Sequence, residues 1–221
     1  MRIVPSILEY TADGLLMQLQ KLIPYFSRFQ IDIADGVFVD NKTITAEKVC
    51  KILTTNRSLI TDNLYFDFHL MVCDYQKEVT VLERYANQIH INLVLVHFSI
   101  IRSTSFTTRN PLFSIGLAIN PQDQIADLAS NYALNSIPVI QIMSIKPGKQ
   151  GNPFMPETLN KIEQLHLAGY RNRIYLDGGI NDTTIPIIIK QKYLPDILCV
   201  GSYLTKSNNI AAKVQHLNSF V

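Results

Sequence analysis

A chain of 221 residues, 47% of them hydrophobic, is long enough to bury a sizeable core, and residues 1–221 are read as a single domain. Twenty Lys and Arg against 18 Asp and Glu leave a net charge of +2, without the like-charged run that marks a nucleic-acid tail or a membrane-surface patch, so neither nucleic acid nor membrane is an expected partner. Cys50, Cys73 and Cys199 are odd in number and lack metal-ligand spacing, which fits small core residues in a reducing compartment. No apolar run has the length of a signal segment or a membrane span, and the expected location is cytoplasmic.

Along the chain, β-branched or apolar runs alternate with amphipathic stretches. A strand is expected at RIVPSI (2–7), a helix over 11–26, a strand at RFQIDI (28–33) and a helix over 45–55. LYFDFHLMV (64–72) is followed by a helical pattern over 74–86, and INLVLVHF (91–98) by SIIRSTSFTTRNP (99–111), whose Ser and Thr content and poor periodicity predict a short or irregular helix. LFSIGLAI (112–119) precedes a helix over 121–133, and PVIQIMSI (138–145) one over 156–169. RIYLDGG (173–179) leads to a helix over 183–194, and DILCVGS (196–202) to one over 208–220.

Eight strands recurring roughly every 30 residues have the length of β-plus-α units, which parallel strands require. The count predicts a (β/α)8 TIM barrel in the α/β class; an open doubly wound sheet is the alternative, since alternation does not reveal closure.

Period two then sorts the side chains. Phe29, Ile31 and Ile33 share one face of the second strand, opposite Gln30, Asp32 and Ala34. Phe66, Phe68 and Leu70 oppose Asp67, His69 and Met71 in the third, and Ile174 and Leu176 oppose Tyr175 and Asp177 in the seventh. Apolar faces belong under helices, so the polar residues point into the barrel, and the carboxyl ends of barrel strands are where catalytic groups converge. Asp35 reads instead as a turn residue, because Asp-Gly is a turn signal. His97 falls near the site with no assigned role, His90, His166 and His216 read as surface or structural, and Met71 and Met143 as packing.

The motifs PSIL (5–8), DIADGVFVDN (32–41), HLMV (69–72), GLAINP (116–121), MSIKPGKQGNPFMPE (143–157), LDGGIN (176–181) and VGS (200–202) occur in the order of one family. Over nearly its whole length the chain resembles the ribulose-phosphate 3-epimerases and the similar hexulose-phosphate 3-epimerases. The resemblance implies a (β/α)8 barrel and an isomerase of carbohydrate metabolism that inverts the carbon next to a ketone in a sugar phosphate, interconverting ribulose 5-phosphate and xylulose 5-phosphate in the pentose phosphate case.

The resemblance assigns Asp32 and Asp177 as the two acid/base groups, and Asp32, His69 and Asp177 as ligands of a divalent metal ion (Zn, Mn, Fe or Co) acting as a Lewis acid. Where the family has a second histidine ligand, this chain has Gln30, whose carbonyl oxygen is a poorer ligand for zinc-like metals. Ala34 replaces a methionine and is expected to enlarge the cavity.

Phosphate binding is expected at Gly178, Gly179, Gly201 and Ser202, where strand-to-helix turns present backbone N–H groups. The preceding loop keeps Gly148 and Gly151 but carries Lys149 and Gln150 in place of Phe and Gly. Ser6 and His69 complete the expected substrate contacts. The implied partners are a small phosphorylated sugar and further copies of the chain. A metal-free phosphosugar-binding protein and a hexulose-phosphate epimerase are the alternatives.

Overall fold

The computed structural model describes residues 1–101 and 110–220. Its strands are β1 (Arg2–Ile7), β2 (Arg28–Ala34), β3 (Tyr65–Met71), β4 (His90–His97), β5 (Ser114–Ile119), β6 (Val139–Met143), β7 (Arg173–Asp177) and β8 (Ile197–Val200). All pair in parallel and in sequence order, and β8 closes on β1, so the sheet is a barrel and not the open alternative. Parallel strands force a crossover each time, and the amphipathic segments supply them.

The helices among the described residues are α1 (Ala12–Leu22), α2 (Ala46–Thr55), α3 (Tyr75–Tyr85), α4 (Ile125–Asn131), α5 (Asn160–Leu167), α6 (Ile185–Ile188), α7 (Ser202–Thr205) and α8 (Ile210–Asn218). Thr11, Thr45, Asp74 and Asn209 start four of them by accepting a hydrogen bond from an N–H in the first turn. The helix expected over 183–194 shrinks to the four residues of α6. Pro186 fits only its first turn, and the β-branched Ile run that follows has low helix propensity. After β4 a 3-10 turn spans Phe98–Ile100, and most of the irregular fourth crossover, residues 102–109, lies outside the described residues.

Burial follows the period-two reading. Phe29, Ile31, Ile33, Phe66, Phe68, Leu70, Ile174 and Leu176 belong to the large apolar layer between strands and helices. Inside the barrel, Val4, Leu93, Leu95, Val139, Tyr175, Ile197 and Cys199 form a separate cluster. Asp67 also points inward, at the end opposite the strand C-termini, where Arg28 donates to both its oxygens at 2.8 and 3.0 Å, Asn92 donates to it at 2.8 Å, and Tyr175 accepts from Arg28 at 2.5 Å. This bidentate ion pair plugs the floor of the barrel. Cys50 and Cys199 are buried as expected, but Cys73 is exposed: it follows the end of β3 in the loop before α3, beyond the alternation that buries strand residues.

Candidate active site

Strand register brings the polar side chains together. Asp32 in β2 pairs across to His69 in β3, Ser6 in β1 to Gln30, and Asp177 in β7 lies between Met143 of β6 and Cys199 of β8. Because all these positions share the inward face, their side chains converge at the C-terminal mouth. Ser6, Asp32, His69, Gly148, Lys149, Gln150, Gly151, Asp177, Gly178, Gly179, Gly201 and Ser202 line one cavity, together with Met71, Met143 and Cys199. Every substrate- or metal-site residue expected from the sequence lines it, apart from Gln30, which lies just beneath.

Asp32, His69 and Asp177 each offer a ligand atom within 4.8 Å of the others, and all three are buried. His69 Nδ1 is 3.2 Å from Asp32 Oδ1 and 3.6 Å from Asp177 Oδ2. Two carboxylate oxygens and one imidazole nitrogen suit a divalent cation, and three protein ligands suffice where water or substrate completes the shell. Gln30 presents no oxygen to the triad: its Nε2 donates to Asp32 and Asp177, and its Oε1 faces away from them toward Cys199.

Burial and the charge of Asp32 push the Asp177 carboxyl up to about 7. Burial alone would lower His69, but the hydrogen bond and charge of Asp32, with the charge of Asp177, outweigh it and raise its pKa. Ser6 donates to Asp32 Oδ2 at 2.7 Å, and Gln141 donates to Asp177 Oδ2 at 3.0 Å. Asp35 is a turn residue, as its Asp-Gly context predicts. Its oxygens accept from the backbone N–H groups of Val37, Phe38 and Cys73 at 2.7–2.8 Å.

The loop after β6 covers the mouth. Gly148 has φ +107°, and a Cβ there would meet Val39 at 2.7 Å, so only glycine lets this backbone close on the loop after β2. Asn41 Nδ2 donates to the Gly148 carbonyl at 2.6 Å across the same seam. The enclosed space is about 40 Å³, room for a few waters. Ala34 does not line it: it is buried with Leu8 and Met71 in a small apolar cluster against which Phe38 and Val39 pack. Beside the glycine turns, Gln150 Nε2 lies against Gly201, buried and without a hydrogen-bond partner.

Residues 2–205 match the model of the ribulose-phosphate 3 epimerase family. The chain belongs to this family. It is 29% identical to the ribulose-phosphate 3-epimerase of Methanocaldococcus jannaschii over 86% of this chain and 77% of the relative. It is 30% identical to that of Chlamydia pneumoniae over 94% of this chain and 89% of the relative. These relatives are isomerases by name, the enzyme class expected from the sequence. Among solved structures, KGPDC from Streptococcus mutans in complex with D-R5P superposes with a TM-score of 0.68 at 14% identity, covering 99% of this chain and 96% of that one. A tryptophan synthase complex from Pyrococcus furiosus gives a TM-score of 0.66 at 13% identity, over 99% and 98%. Both share this chain's barrel fold.

Sequence reading left three contributors without a role. Gln141 and Cys199 sit on interior faces of β6 and β8, where period two would have placed them. His97 ends β4 with its Nε2 2.9 Å from His69 Nε2. No helix among the described residues is long and apolar enough to cross a membrane.

Proposed function

We propose that the protein is a ketose-phosphate 3-epimerase, with ribulose 5-phosphate and xylulose 5-phosphate as the pair it interconverts. The observation that carries this reading is the meeting of Asp32 and Asp177, from β2 and β7, around one buried cavity beside His69. Inversion next to a ketone needs one group to take the proton and another to return it on the other face of the planar enediolate. Asp32 and Asp177 fill these roles. Without a cation, burial and the charge of Asp32 raise Asp177 to about 7, so this carboxyl can hold a proton near neutral pH.

Asp32, His69 and Asp177 would hold a divalent cation, which supplies Lewis-acid stabilisation of the charge that develops on the substrate oxygens. Ser6 and Gln141 orient the carboxylates through their hydrogen bonds. Gly178, Gly179, Gly201 and Ser202 bind the phosphate through backbone N–H groups. The Gln150 NH2 group, which has no partner, donates to the same phosphate, and Lys149, in the same cavity lining, adds charge. The loop carrying Gly148 and Gly151 lines the cavity mouth, where it would close over the bound sugar phosphate and exclude water.

Incubation with ribulose 5-phosphate in D2O, with Zn²⁺, Mn²⁺, Fe²⁺ or Co²⁺ supplied, tests this. Xylulose 5-phosphate carrying deuterium at C3 is expected. Absence of both turnover and C3 exchange, with pentulose and hexulose phosphates alike, would sink the reading. The second reading is a phosphosugar-binding protein without turnover, favoured by the Gln30 amide resting on both acids. It predicts saturable sugar-phosphate binding with no exchange.

A further inference from the structure

Gln30 is where this chain departs from the family's ligand set, and its contacts define a different role. Its side chain is fully buried, and Nε2 reaches Asp32 Oδ1 at 3.0 Å and Asp177 Oδ2 at 2.7 Å. Behind it, the Cys199 thiol donates to Oε1 at 3.2 Å. Electrostatics set this orientation. Turned over, the amide would press its carbonyl oxygen against two carboxylates and its NH2 against a thiol that burial keeps protonated. The NH2 group has two diverging N–H bonds, one for each acid, whereas an imidazole nitrogen has at most one. His69 Nδ1 also lies near both acids, but its approach to Asp177 is longer, at 3.6 Å.

We propose that Gln30 is a positioning residue: a neutral crossbar that joins Asp32 to Asp177 when no cation is bound, and that a divalent cation entering the Asp32, His69 and Asp177 triad must displace. The proposal rests on the triad being a cation site, as in the reading above. Without such a donor, the two buried carboxyl groups, each held on its outer side by Ser6 or Gln141, would face each other with only His69 between them, and close like charges are costly to bury. The amide therefore keeps the acids opposed while adding no charge of its own. The same contacts oppose metal binding, because both of its acceptors are oxygens of ligand residues.

The test compares metal-stripped wild type with Gln30→Leu, a side chain of similar size without the donor, and with Gln30→His. Thermal unfolding is measured without metal, and affinity for Zn²⁺ and Mn²⁺ by competition with a chromophoric chelator. Metal-free Gln30→Leu should melt about 3–8 °C below wild type. It should nevertheless bind Zn²⁺ roughly fivefold more tightly, because nothing then competes for the carboxylates. Gln30→His, which adds a ligand and removes the crossbar, should bind more tightly still.

Weaker metal binding in Gln30→Leu would make Gln30 a ligand and overturn the proposal, as would melting temperature and affinity both equal to wild type. If neither wild type nor variant binds metal, the cation reading fails, and the metal-free melting difference alone decides the crossbar. Gln30→Met, also without an N–H, carries the same two measurements should the Leu variant not fold.

Discussion

His69 and His97 meet nitrogen to nitrogen, Nε2 to Nε2 at 2.9 Å, with both rings fully buried. One proton between them makes the contact a hydrogen bond, and it commits His69 Nε2 to His97, leaving only Nδ1 for the triad. Phe38 packs on the far ring with centroids 4.7 Å apart. Replacing His97 with Leu should free the His69 ring to rotate and weaken metal binding by roughly 10–100-fold, the usual cost of losing a partner that orients a ligand. Chelator competition measures this, and His97→Asn, which restores a polar partner, should recover part of the loss.

Asp177→Asn removes one of the two acids without changing its volume. Turnover should fall by at least about a thousandfold, consistent with loss of a general acid/base together with a ligand. The barrel should persist, judged by its circular dichroism and cooperative unfolding. A variant that stays folded and active would remove Asp177 from the chemistry.

The pH dependence of stability has a defined sign. Asp177 is raised from its ordinary 3.8 to about 7 in the fold, so between those values the native state binds more protons than the unfolded chain. Its contribution is fully present below about pH 4 and is lost as pH rises through 7. Asp67, Glu78, Asp123 and His69 are also shifted upward, so the comparison must isolate Asp177. Urea unfolding of the metal-free protein from pH 4 to pH 8 should show a steeper decline in wild type than in Asp177→Asn.

Gly148→Ala challenges the seam between the loops after β2 and β6. A Cβ would lie 2.7 Å from Val39, at a φ of +107° that L residues rarely adopt. Strain of about 1–3 kcal/mol acts against the closed loop, so KM for the sugar phosphate should rise roughly tenfold or more with little change in global melting temperature. Steady-state kinetics and a thermal scan together check it.

Much of the architecture could be read from one-dimensional pattern because alternation at period two and period 3.6 is local. That is why Phe29 and Ile31 could be placed outside, Asp32 inside and Asp35 in a turn without coordinates. Contacts set by strand register were not legible. Gln30 meets Asp177 across 147 residues and Cys199 across 169, and nothing near position 30 indicates which way its amide turns. His97 could be placed near the mouth, but its bond to His69 depends on how β3 and β4 pair, including the register shift between Phe66 and Asp67. The shortened α6 begins with Pro186 in its first turn, and the β-branched residues Ile187, Ile188 and Ile189 that follow have low helix propensity.

At the barrel floor, the partly exposed Arg28 gives the fully buried Asp67 a bidentate partner. Arg28→Met would strand that carboxylate and should cost about 3–5 kcal/mol of stability in urea unfolding. The floor shares no hydrogen bond with Asp32, His69 or Asp177 among those described. Anchoring and reactivity are thus housed at opposite poles. A glutamine at position 30 therefore sits at the far pole from the anchor that keeps the architecture standing.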